Sequence, residues 1–139
     1  MMEVNKKKYY EVGDVVLAES MDIGYKRNTK DKSKFKTNLF LIIYSEKDDI
    51  LTMHKKNYAC LKITTSVVDE SLYNTKYDTN VNTFLDREGF ISCSKIHTIS
   101  DDQILGHLGT IDSYTLSVCY KLFHRFQNEV DRQILDNIY

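Results

Sequence analysis

The sequence predicts an α+β domain: a compact, barrel-like antiparallel sheet closed by one C-terminal amphipathic helix. Several apolar stretches of strand length alternate with charged or Asn/Thr-rich segments. A clear helical period appears only near the end of the chain. The 139 residues suit a single domain, 1–139, with no room for a second. With 42% apolar and 28% charged residues, the chain can build a core of ordinary density.

Residues 1–8 are a polar, basic tail, and 10–19 read as a first strand with a turn or bulge at Gly13-Asp14. Residues 20–37 form a long basic loop. The run Leu39-Phe40-Leu41-Ile42-Ile43-Tyr44 is the second strand, closed by Glu46-Lys47-Asp48-Asp49. Ile50 to Met53 is a candidate short strand, and Tyr58 to Ile63 is another, ending at Thr64-Thr65-Ser66. Residues 68–83 are polar and aperiodic, a surface loop with room for a hairpin. That length is unusual for a structureless connection, so the segment is either functional or partly ordered.

Gly89 to Ile99 returns to strand, with an irregularity near Ser94, and Asp101 to Leu105 reads as one helical turn with acidic residues at its start. His107 to Ile111 is a short strand. Asp112 or Ser113 then caps the final helix. Its apolar positions Leu116, Cys119, Phe123, Phe126, Val130 and Ile134 recur every three or four residues, which is the stripe of an amphipathic helix. Charges of both signs on its other face suit core or dimer packing rather than a membrane surface.

Composition removes several function classes. No segment approaches the roughly 18–20 apolar residues of a membrane helix, and Met1 to Lys8 lacks the apolar stretch of a secretory signal, so a cytoplasmic location is expected. Cys60, Cys93 and Cys119 are odd in number, lack CxxC spacing and sit in apolar stretches. They read as reduced core residues rather than disulfides or zinc ligands. Four scattered histidines make no metal site, and no cofactor is expected. Patterns for nucleotide triphosphates, dinucleotides, zinc proteases and serine hydrolases are absent.

Net charge is −1, so bulk electrostatics does not mark a nucleic-acid binder, but charge is clustered. Between residues 25 and 36, Lys26, Arg27, Lys30, Lys32, Lys34 and Lys36 face only Asp31. Such a loop either solvates a surface or contacts phosphates. In the second case Tyr25 and Phe35 are available to stack on bases. It is also a candidate dock for an acidic protein tail.

Five landmarks, in order, resemble the MazF/PemK-type toxin endoribonucleases. Val12-Gly13-Asp14-Val15-Val16 is similar to the family's opening "GDIV", and the basic loop and strand 39–44 stand where the family has "RPxLVI". Ile63-Thr64-Thr65-Ser66 looks like "PITS", and Ser94-Lys95-Ile96-His97-Thr98-Ile99 resembles "DQVKSLD". Ile104 to Ile111 is similar to "R-IGRL". The match runs from residue 11 to about 127; no piece is specific alone. The resemblance implies an SH3-like barrel with a terminal helix, usually a homodimer. It also implies metal-independent cleavage of single-stranded RNA and inhibition by a cognate antitoxin, protein or RNA.

Such cleavage uses the substrate's own 2′-hydroxyl as nucleophile, so proximity is built into the RNA. The protein must supply a proton acceptor, a proton donor and groups that stabilise phosphate charge. By the resemblance, Thr65 and Ser66 are the hydroxyl pair and Lys36 the cation. Lys36-Thr37-Asn38 replaces the family's Arg-Pro, and a lysine cannot make the bidentate grip of a guanidinium. Toxins of the ToxN kind, which share the fold, use a Lys near this point, followed by a Thr-Ser pair. Both hydroxyls reach one phosphate only if the strand ends there, because successive side chains point to opposite faces. The plainer alternative is a pair of turn-satisfying hydroxyls.

His54 and His97 are candidate acid–base groups; His107 and His124 rank below them. Tyr9, Tyr10, Tyr44, Tyr58, Tyr73 and Tyr77 offer base-stacking candidates without an order among them. A competing reading is a non-catalytic binding module on the same fold. It is either a CcdB-like protein-binding toxin acting through Ile138 and Tyr139, or a degenerate RNA-binding domain.

Overall fold

The computed structural model describes residues 9–21, 35–45, 57–65 and 73–138. Its elements are β1 (Asp14–Met21), β2 (Phe35–Ser45), β3 (Asn57–Thr64), β4 (Asn74–Lys76), β5 (Phe90–Ser92), β6 (His97–Ser100), β7 (Ile104–Thr110) and α1 (Ser113–Ile138). The described strands form one antiparallel sheet in the order β4-β5-β3-β2-β1-β7, with β6 also paired to β3. No pairing joins β4 to β7 among the described residues, so the sheet is open along that path. The expected α+β class, antiparallel sheet and terminal helix are present. The candidate strand 50–53 lies outside the described residues.

The apolar run in β2 has a structural reason: this strand is buried on both faces, where alternation is not required. Leu41 and Ile43 face the α1 side with Val15, Leu61, Ile63, Ile91, Cys93 and Cys119. Phe40 and Ile42 face away from the helix with Tyr10, Val16, Ala18, Tyr58, Cys60, Ile99 and Ile104. Two cores thus share the central strands. β3 supplies both in the same way, with Leu61 and Ile63 toward the helix and Tyr58 and Cys60 away from it. All three cysteines are buried free thiols, as their apolar setting implied, and burial pushes the Cys60 thiol up to about 12.

Bends in the strands let one sheet enclose two cores. β1 and β7 change register between Val15 and Val16 and again between Leu17 and Ala18, and such bulges increase local twist. β2 and β3 slip at Ile43, where Tyr120 of α1 donates its hydroxyl to the Ile43 carbonyl. The expected irregularity near Ser94 is the break between β5 and β6, and the acidic turn is a 3₁₀ turn, Asp101–Gln103.

Of the polar segment 68–83, residues 73–83 are described; they contain β4, whose partner β5 lies beyond the segment. Asn82, 1% exposed, ties this segment down. Its amide donates to Asp112 Oδ1 at 2.9 Å and its carbonyl oxygen accepts the Asp112 N–H at 3.0 Å. Asp112 Oδ2 accepts the Thr115 N–H at 3.0 Å and so caps α1. Burial pushes the Asp112 carboxyl up, but the hydrogen bonds from Thr115 and Asn82 outweigh it and hold it below the usual carboxylate range.

The stripe on α1 is core only in its first half. Thr115 and Cys119 are buried, Leu116, Tyr120 and Leu122 pack on the helix-side core, and Phe126 meets Tyr73 edge-on at 5.1 Å. Residues 131–138 are all exposed, Ile134 at 51% and Ile138 at 66%. Of the two expectations for the stripe, core or dimer packing, core packing holds for its first half only. The helix outruns the sheet, so the periodicity continues past the surface that could bury it.

Candidate functional site

The site proposed from sequence depends on where β2 begins and β3 ends. Leu39 pairs Ile63 and Phe40 pairs Lys62. Continuing that register places Asn38 beside Thr64 and Lys36 level with the point where the chain leaves β3 after Thr65. Neighbouring strands lie about 4.8 Å apart, which sets the start of β2 near the end of β3. Phe35 and Lys36 belong to β2, which extends four residues before the apolar run because it also pairs β1, with Ser20 opposite Lys36. β3 stops at Thr64, and Thr65 is exposed outside the strand. Ser66 and the side chains of Phe35 and Lys36 lie outside the described residues, as do Tyr25, Lys26, Arg27, Lys30, Lys32, Lys34, His54 and Tyr139.

The pleat identifies a residue that sequence reasoning missed. Along β2, positions 38, 40 and 42 share the face turned away from α1; along β3, positions 58, 60, 62 and 64 share it. Thr64, not Thr65, is the hydroxyl on the same face as Lys62 and His97. The Thr64-Thr65-Ser66 run left this choice open, because it needs the parity of the strand, which only the core assignment of Tyr58 and Cys60 fixes.

A close backbone contact holds this corner. A Cβ on Gly89 would lie 2.2 Å from the Thr64 carbonyl oxygen and 2.6 Å from the Tyr77 hydroxyl. Tyr77 itself donates to the Arg87 carbonyl at 2.7 Å. Only glycine lets the chain entering β5 lie flat against Thr64. Gly89→Ala is expected to destabilise the protein by about 2–3 kcal/mol, read as a lowered urea midpoint, because the clash is with backbone that cannot rotate away.

His97 pairs Cys60 and therefore shares the face of Lys62 and Thr64; its ring lies 5.5 Å from that of Phe40. Cys60 stands opposite Ile42, six residues along β2 from Lys36, so His97 sits roughly 20 Å up the strand from the Lys36 level. The structure therefore does not set it directly beside Lys36. Burial first, then the charges of Lys95 and Lys62, hold its pKa below the ordinary histidine value. The imidazole is neutral at pH 7. The unfolded chain then binds more protons below about pH 6.5 than the folded one, so stability falls as pH drops through that range. A wild-type urea midpoint that falls more between pH 7.5 and 5.5 than that of His97→Gln is the expected result; parallel profiles would refute it.

The other candidates are scattered. His107 lies at the opposite end of β1, with Nε2 3.1 Å from Asp14 Oδ1. His124 lines an open groove of about 580 Å³ on the outer side of α1 with Lys121, Arg125, Asn128, Glu129 and Arg132. Every lining residue comes from one helix, so this is a gap between neighbouring side chains rather than an enclosed site. Tyr10 and Tyr58 are buried edge-on against each other at 5.7 Å, and Tyr77 is buried too, which withdraws all three as base-stacking residues. Among the described residues, no three His, Cys, Asp or Glu side chains form a group able to hold a metal ion. No helix among them is long and apolar enough to cross a membrane.

No protein-family model matches the sequence, and no curated protein matches it. Solved structures do match the fold. An endoribonuclease in complex with its cognate antitoxin, from a mycobacterial species, superposes with a TM-score of 0.57 at 15% identity, over 84% of this chain and 92% of that one. An endoribonuclease from a mycobacterial species superposes with a TM-score of 0.58 at 12% identity, over 87% and 93%. At such identities the likeness is one of fold: this chain has the architecture of those endoribonucleases along most of both lengths.

Proposed function

We propose that this chain is a toxin-like endoribonuclease of a toxin–antitoxin system, cleaving single-stranded RNA without a metal through the substrate's 2′-hydroxyl. The observation that supports the reading is the β2–β3 register, with Leu39 opposite Ile63, whose continuation runs Lys36 toward the exit of β3 at Thr65. The fold shared with endoribonucleases, one of them solved with its antitoxin, supports the same reading, as does the two-sided core, which suits an SH3-like barrel. A cytoplasmic homodimer held inactive by an antitoxin fits it.

In this mechanism the 2′-oxygen attacks the adjacent phosphorus and loses its proton to a base. The bond to the 5′-oxygen breaks and that oxygen takes up a proton, leaving a 2′,3′-cyclic phosphate and a 5′-hydroxyl. Lys36 stabilises charge on the non-bridging oxygens, and Thr65 and Ser66 donate hydrogen bonds to them. Lys26, Arg27, Lys30, Lys32 and Lys34 guide the strand by phosphate attraction.

The test is incubation of purified protein with single-stranded RNA in EDTA. Products ending in cyclic phosphate support the reading, and intact RNA refutes it. The exposed apolar end of α1, with Ile134, Leu135 and Ile138 on its surface, favours a second reading as a protein-binding toxin. Growth arrest with undamaged RNA would select that one.

A further inference from the structure

Beyond the cation and hydroxyls, the face turned away from α1 carries a second pattern. Thr64 pairs Phe90, and Phe90 pairs Lys76, so the three side chains form one row across β3, β5 and β4. Lys62 lies one pleat up from Thr64 on the same face, and Lys95 is close enough to act on His97 beside it. Among the described positions of β2, β3, β4 and β5 on this face, none is acidic. In a chain of net charge −1, that asymmetry is local and pronounced.

Phe90 is only half-buried, unlike its neighbour Ile91, which is fully enclosed in the helix-side core. The Gly89–Thr64 contact fixes its backbone. The Lys76 ammonium lies 5.6 Å from the centre of its ring. An exposed cation–π contact contributes roughly 0.5–1 kcal/mol, whereas a base stacked on an aromatic ring contributes about 1–3 kcal/mol. A nucleobase therefore displaces the ammonium from the ring, and the freed lysine moves onto the nucleotide's own phosphate. Phe90 stands two strand spacings from Lys36, roughly 10 Å, within reach of one or two nucleotides.

We infer that the face bearing Lys62, Thr64, Lys76 and Phe90 is the track of a single-stranded RNA, with Phe90 the platform on which a base beside the cleaved bond stacks. This rests on the ribonuclease reading and adds to it the path of the strand and a residue that grips it. Charge complementarity with phosphates and a fixed, partly open aromatic ring argue for single-stranded nucleic acid over a protein segment.

The test is fluorescence anisotropy of the full chain with a short, labelled single-stranded RNA carrying 2′-O-methyl groups, which cannot be cut by its own hydroxyl. Phe90→Leu is expected to weaken binding about tenfold. Lys62→Gln with Lys76→Gln should reduce the slope of log affinity against log salt by about 1.4, at roughly 0.7 per lost phosphate contact. Equal affinity of Phe90→Leu and wild type overturns the proposal. So does loss of binding in the lysine variant alone, with poly-glutamate competing fully, which would give the face to an acidic protein segment. Should Phe90→Leu not fold, an unchanged salt slope in the lysine variant overturns the proposal by itself. Natural RNA cut by a protein whose Phe90→Leu variant binds normally sinks this inference and spares the nuclease. Phe90-dependent binding without cleavage does the reverse.

Discussion

Lys36→Ala and Thr65→Ala are each expected to slow RNA cleavage in EDTA by roughly 10²–10³-fold, the usual cost of removing one preorganised charge-stabilising group. Charge on the phosphate oxygens grows as the 2′-oxygen attacks, so groups aimed at those oxygens act mainly in the transition state, and the loss should fall on kcat more than on KM. Because both side chains serve the same phosphate, the double variant should be little slower than either single one. Lys36→Arg is informative in the other direction. A guanidinium offers a planar, two-pronged grip where the ammonium is a point charge, so this variant should keep much of the activity. Alanine variants as fast as wild type would mean that the chemistry lies elsewhere and the β2–β3 adjacency serves only the fold.

The adjacency was partly legible from sequence. Leu39 to Tyr44 has the length and apolarity of a strand buried on both faces, and the core on either side of Phe40 and Leu41 bears that out. Val12-Gly13-Asp14 marked a turn correctly, since Gly13 has φ 97, the left-handed conformation glycine favours. Periodicity did not reveal that β2 begins at Phe35. Lys36-Thr37-Asn38 is polar, and its strand character comes from pairing with β1. Nor did it reveal that Thr64, not Thr65, shares the face of Lys62 and His97. Strand parity depends on the partner strand, and a single sequence carries no record of register.

Other features were illegible for related reasons. The row Lys76–Phe90–Thr64 joins residues from three strands, and Phe90 reads like any apolar strand residue until Ile91 is seen to occupy the core instead. Asn82 looked like one more polar residue of a loop, yet it latches that loop to the cap of α1. Its partner Asp112 was visible as a helix cap; that the cap would hold a second segment was not. Conversely, the stripe of α1 overstated the core, because amphipathicity measures what a helix could bury and not how far the sheet reaches beneath it.

Asp14→Ala is expected to lower stability by about 2–3 kcal/mol, a fall in Tm of roughly 10 °C for a domain of this size, without slowing the chemistry of the protein that remains folded. Asp14 is only 3% exposed. Its Oδ2 accepts the Glu11 N–H at 2.8 Å, and its Oδ1 is shared by Thr110 Oγ1 and His107 Nε2, each at 3.1 Å. One carboxylate thus closes the Gly13 turn and ties β1 to β7 beside the core that holds Tyr10. Alanine leaves the Glu11 N–H, the Thr110 hydroxyl and His107 Nε2 without this partner, and hydrogen bonds to a charged group are the costlier ones to lose. Asn at this position keeps one acceptor oxygen and should lose less. Asp14 lies six residues along β1 from Ser20, the partner of Lys36, about 20 Å at strand rise. A direct part in cleavage is therefore ruled out by reach, and single-turnover rates normalised to folded protein should match wild type. Equal melting temperatures with a collapsed rate would reverse the assignment and make the Gly-Asp turn part of the chemistry rather than of the fold.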